Sequence, residues 1–183
     1  MAKRHPNGFY KITLPFRGGL VRRLHVWTPG SAADAEESNV HGHCWPFVSK
    51  VVTGCLLEDT YVAGPGDDHG EHSFEGEGTL LRYVRKVGLL HVSTDCHDAG
   101  TVYQRSAFAL HRVRPWREDR LTISAVAHPV SRAREASVYV RYGKLAEVDS
   151  CKLVAREVEL VRDALQQTSH EVIGLSGSGP ETS

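Results

Sequence analysis

The chain has 183 residues, with Lys+Arg and Asp+Glu equal at 22 each and a formal net charge of zero. That balance leaves no basic excess to hold nucleic acid or an anionic membrane surface, and no apolar run is long enough to span a bilayer as a helix. An apolar fraction of 40% supplies the core of one soluble domain. Met1 to Pro6 lacks an apolar signal core, so the expectation is a cytoplasmic protein whose scattered cysteines (Cys44, Cys55, Cys96, Cys151) stay reduced thiols.

Phe9–Leu14 and Leu20–Trp27 read as strands around a Gly18-Gly19 turn. Ser31–Ser38 is polar and acidic, a loop or one helical turn. His41–Leu57 alternates and is rich in Val, Thr and aromatics, which predicts strand, with Gly54 as a bend or bulge within it. Glu58–Ala63 continues into a further strand. Gly64-Pro65-Gly66-Asp67-Asp68 is a turn signal, and the polar segment after it, to Gly78, reads as a loop.

Thr79–Val87, Gly88–Thr94, Tyr103–Val113, Leu121–Pro129 and Ala136–Tyr142 predict more strands, with breakers at Lys86-Val87-Gly88, Asp98-Ala99-Gly100 and Pro115. Short strands at regular spacing predict an all-β sandwich or barrel. Lys152–Leu165 then carries Leu153, Val154, Val158, Val161 and Leu165 at helical spacing, with Asp149 or Ser150 as cap. One amphipathic C-terminal helix therefore packs on the sheet. Residues 1–173 form a single domain, and Gly174–Ser183, rich in Gly and Ser, reads as a disordered tail.

The chemistry concentrates in His41-Gly42-His43-Cys44-Trp45-Pro46-Phe47. Two histidines at i and i+2 on an extended chain share a face, and imidazole suits iron, zinc, copper and nickel. His111, at the end of a distant apolar stretch, supplies a third ligand, with Ala107 and Ala109 leaving room beside it. On one unbroken strand Tyr103 lies too far along to touch what His111 binds. Phe47 and Ser49 continue the His41/His43 face and line the substrate site. His128, ending the next strand, returns as an acid/base group. Arg82 and Tyr83 lie on opposite faces of one strand, so only one reaches the pocket, as carboxylate binder or proton donor. Cys44 points away from His43, into packing. The cluster Asp67-Asp68-His69-Gly70-Glu71-His72 and the pair Asp95/His97 hold ligand-type residues but read as solvated surface.

His41-x-His43, Gly54, Gly100 and His111 resemble the two motifs of the cupin superfamily. The first is G-x5-H-x-H-x3,4-E-x6-G; Phe47 stands where its glutamate would be, with six residues between it and Gly54. The second is G-x5-P-x-G-x2-H-x3-N; ten residues separate Gly100 from His111, the proline and second glycine are missing, and Pro115 replaces the asparagine. The resemblance implies a double-stranded β-helix, or jelly-roll barrel. A three-histidine site without the carboxylate is similar to cysteine-dioxygenase-like cupins. It implies Fe(II), with Zn(II), Mn(II) or Ni(II) as alternatives, and O₂-dependent oxidation of a small polar substrate. A non-redox isomerase, lyase or hydrolase, or a ligand-binding barrel, is the alternative. The resemblance also implies pairing of barrel edges into a homodimer.

Overall fold

The computed structural model describes residues 2–5, 7–15, 18–31, 40–75, 81–130, 135–141 and 153–174. They form two antiparallel sheets and one helix. The first sheet has the order β1 (Ala2–Arg4), β2 (Tyr10–Thr13), β3 (Leu20–Trp27), β10 (Thr122–Pro129), β5 (Phe47–Thr53), β8 (Val102–Arg105). The second has the order β11 (Glu135–Arg141), β4 (Val40–His41), β9 (Leu110–Pro115), β6 (Cys55–Glu75), β7 (Leu81–Asp98).

Alternation decides which side chains meet between the sheets. On β5, Phe47, Ser49 and Val51 are buried while Val48 and Lys50 are exposed. Phe9, Trp27, Val51, Leu56 and Val113 form a core between the sheets, with Tyr103 packed on it. The opposite face of the first sheet is also apolar: Tyr10, Val26 and Ile123 are buried against Val161 and Ala164 of α1 (Ala155–Gly174). The helix thus covers the back of one cavity wall. Its first turn is closed by Glu157, whose carboxylate accepts from the Val154 N–H at 3.0 Å.

The predicted strand His41–Leu57 is three pieces. After His41 the chain leaves the second sheet, enters the first at Phe47, and returns to the second at Cys55. The return happens at Gly54, whose φ is +75°. A Cβ there would lie 2.4 Å from Thr122 Oγ1 and 2.7 Å from the Leu121 carbonyl. Only glycine satisfies both the left-handed backbone and the close approach.

Three further expectations need correction. Gly64–Asp68 does not end a strand. β6 runs on to Glu75, and the extra residues form a bulge between the Gly64–Gly88 and His69–Val87 pairs. Gly88 permits it, since a Cβ there would lie 2.5 Å from the Pro65 carbonyl. β7 likewise runs unbroken through Lys86-Val87-Gly88. Tyr103–Val113 is not one strand: β8 and β9 lie in different sheets, joined through Phe108 at φ +64°.

The helix extends past Leu165 to Gly174. The segment 32–39, the caps Asp149 and Ser150, and the tail from Leu175 lie outside the described residues. No described helix is long and apolar enough to cross a membrane.

Candidate metal centre

His41 on β4 lies directly opposite His111 on β9 in the ladder. His43 follows two residues past the end of the strand, where its carbonyl accepts from the Phe108 N–H at 2.7 Å. This brings three rings together, with centroids 4.8 Å apart for His41–His43, 4.9 Å for His41–His111 and 5.3 Å for His43–His111. One donor atom from each lies within 4.8 Å of the others, a group that could hold a metal ion.

The proton positions follow from Glu58, which is fully buried (0% exposed) beneath His111. Burial alone would push its carboxyl up, but hydrogen bonds from His111, His97 and Arg105 outweigh that and hold it at about 2. It is therefore an acceptor at neutral pH. His111 Nδ1 stands 2.7 Å from Oε1, so Nδ1 donates there, and in the neutral ring Nε2 keeps its lone pair. That Nε2 is buried with no hydrogen-bond partner. A buried acceptor without a partner costs free energy, and a metal would satisfy it. The arrangement is that of a metal-binding histidine oriented by a carboxylate. Burial, and then the neighbouring His41 and His111, hold the His43 pKa well below its usual value. Its ring is therefore neutral, the form that ligates.

Glu58 is itself fixed from behind. Arg105 Nη2 donates to it at 2.6 Å and Arg105 Nε at 3.0 Å, and His97 Nε2 lies 2.9 Å from Oε2. His97 stacks on Tyr103 with ring centroids 4.0 Å apart and an interplanar angle of 4°.

The histidines face a cavity of about 70 Å³ between the sheets, room for roughly two water molecules at about 30 Å³ each. Phe47 and His128 line it, as does Trp45. Phe47 packs 5.3 Å from His43 and 5.4 Å from His111. His128 stacks on Trp45 at 4.5 Å. Its Nδ1 donates to the Pro129 carbonyl at 2.8 Å, and its buried Nε2 has no partner. Burial, foremost, lowers the His128 pKa. Ser49 is fully buried behind this lining rather than in it.

Arg82 and Tyr83 do not reach the cavity. Both are exposed on the outer half of β7, Tyr83 at 50%, where Tyr83 packs on His72 and Arg82 bonds Ser73. The long ribbon of β6 and β7 carries this half of the strand away from the histidines. Tyr103, expected to lie too far from His111, lines the same cavity because the chain changes sheet at Phe108. His97, expected at the surface, is buried under Glu58, and Asp95 meets Arg105 Nη2 at 3.4 Å. Asp68 and His69 pair with each other at 2.8 Å, and Glu71 with Arg85 at 2.7 Å.

Sequence reasoning missed Glu58, although it stands in phase with the inward Leu56. It also missed Lys11, Arg23 and His25, which line the cavity from β2 and β3. On β3, Arg23 and His25 are in phase with Trp27 and so face inward. Outside the centre, Cys55, Cys96 and Asp98 form a second group of potential ligands on the other face of β6 and β7. The thiols of Cys55 and Cys96 lie 2.7 Å apart, so these two cysteines, scattered in the sequence, are neighbours in space.

No protein-family model matches this chain, and no curated protein matches it.

Proposed function

We propose that this chain is a cupin-type mononuclear metalloenzyme that binds Fe(II) through His41, His43 and His111 and oxidises a small polar molecule with dioxygen. The observation that carries the reading is His111: its Nδ1 is engaged by the buried Glu58, and its Nε2 is buried without a partner beside two more imidazoles. Two antiparallel sheets closing on a cavity, with ligands from β4 and β9, support the jelly-roll assignment.

Three neutral donors favour iron over a carboxylate-ligated manganese site, because they leave the ion its full charge for an anionic or chelating substrate. When bound, Fe(II) supplies a place where substrate and dioxygen meet and exchange electrons. The chain's own residues do the rest. Glu58 holds the His111 ring in one tautomer and one orientation. Trp45 and Phe47 form an apolar wall that limits water. Burial pushes the Tyr103 hydroxyl up to about 12, so it remains a proton donor at neutral pH.

A second reading, a non-redox Zn(II) enzyme, is favoured by His128. Its unpartnered Nε2 in the cavity lining suits a group that takes a proton from substrate.

The test is elemental analysis of anaerobically purified protein beside the His41→Ala/His43→Ala double variant, followed by oxygen uptake with small substrates. About one iron per chain, lost in the variant, supports the oxidase reading. Zinc lost in the same way moves the assignment to the second reading. No metal in either protein after reconstitution overturns both and leaves a binding barrel.

A further inference from the structure

We propose that the cavity above the three histidines recognises a small carboxylate, whose anionic end is held by Lys11 and Arg23. The proposal deepens the metalloenzyme reading and rests on it for what the other end of the ligand would meet.

Lys11 and Arg23 both line the cavity. They belong to neighbouring strands: Lys11 lies opposite His25, and Arg23 opposite Thr13. They are therefore diagonal neighbours on the inward face of the sheet, within reach of one ligand. The Arg23 guanidinium sits 5.6 Å from the Trp45 ring centroid, a cation–π contact that anchors it at the wall.

Among the described residues no aspartate or glutamate lines the cavity, and no carboxylate pairs with either side chain. Two other arginines show the contrast: Arg105 is held by Glu58 and Arg112 by Asp59, each with a contact of 2.6 Å. Two half-buried cations side by side, without a carboxylate, are costly unless a ligand supplies the countercharge. Burial, then Arg23 and Lys3, push the Lys11 pKa down to about 8, in keeping with that cost.

The size and the remaining walls narrow the ligand. A cavity of about 70 Å³ takes an acid of few heavy atoms. Phe9, Leu56 and Val113 offer apolar contact to its middle, and the histidines stand ready for its other end. Arginine matches a carboxylate with two parallel hydrogen bonds.

The experiment is calorimetric titration of the full chain with propionate and lactate, against their neutral amides propionamide and lactamide. It is run on metal-loaded and on chelator-stripped protein, with Arg23→Met and Lys11→Met as variants. The acids are expected to bind at least about tenfold more tightly than the amides. Each variant should lose most of that preference while metal content holds and the chain stays folded. Equal binding of acids and amides, or no binding of either acid, overturns the proposal. So does an undiminished preference in both folded variants. The acid–amide comparison in the unaltered chain stands even if a variant does not fold. Metal loading without acid preference sinks the anion site and spares the metal centre. Acid preference lost in Arg23→Met, in a chain that takes no metal, does the reverse.

Discussion

His111 and Glu58 are joined by a 2.7 Å hydrogen bond between β9 and β6, residues 53 positions apart in the chain. The pair sets the tautomer of the ring and turns its other nitrogen towards His41 and His43. Glu58 is in turn the anion for Arg105 and the partner of His97. It therefore links the site to the stability of the sheet.

Replacing Glu58 with Gln should separate these two roles. The amide removes the buried charge that Arg105 and His97 share, leaving Arg105 with its longer, 3.4 Å contact to Asp95, and breaking such a buried cluster costs roughly 3 kcal/mol. The metal affinity should fall about 10- to 100-fold, because His111 loses its orienting carboxylate. Urea denaturation and a metal-competition titration measure the two effects. An unchanged affinity in a folded variant would show that Glu58 serves stability alone.

Gly54→Ala should be destabilising by roughly 2–4 kcal/mol, combining the left-handed backbone penalty with a clash against backbone. The added methyl meets the Leu121 carbonyl and Thr122, at the one residue where the chain passes from β5 to β6. Thermal denaturation checks this. Gly100→Ala is the control: its φ is +93° but nothing lies within 4 Å of the added carbon, so the loss should be smaller.

Lys11 predicts a pH dependence. Its folded pKa, about 8, lies below its ordinary 10.5. Between those values the unfolded chain binds more protons than the folded one, so stability from this group rises with pH across the window. Below about pH 8 the penalty of burying the ammonium is present in full. The difference in urea midpoint between wild type and Lys11→Met should therefore shrink as pH rises from 8 towards 10.5. A difference that stays constant would mean that Lys11 is not strained by burial.

The Cys55 and Cys96 thiols should close into an intrachain disulfide when treated with diamide, two thiols being oxidised as one diamide is reduced. Burial, then the hydrogen bond with Cys96, push the Cys55 thiol up to about 12. The thiolate is the reacting form, so closure should be slow at neutral pH and faster in alkali. Thiol titration and mass spectrometry of the peptides follow it. Only intermolecular crosslinks would contradict the geometry.

The histidine pair was legible in the sequence because alternation is local: His41 and His43 share a face whatever the rest of the chain does. His111 was legible as a companion, though not as the residue directly opposite His41, since ladder register is a long-range property. Tyr103 was misplaced because one left-handed residue, Phe108, splits an apparently continuous strand between two sheets. The Gly-Pro-Gly run was misread for a related reason: the residues that permit a reversal also permit a bulge, and pairing with β7 decides between them. Glu58 carried a faint signal in its phase with Leu56. Its role depends on Arg105 and His97, which arrive from strands far along the chain.

Lys11 and Tyr10 are consecutive residues, as are His25 and Val26, yet one of each pair looks into the cavity and the other into the packing beneath α1. The partition between ligand chamber and helix bed is thus a single backbone thick. A change at Val161 or Ala164, with no atom in the chamber, would press on the reverse of the same wall that carries the two cations. The helix thus backs the very strands whose other face presents Lys11, Arg23 and His25 to the cavity.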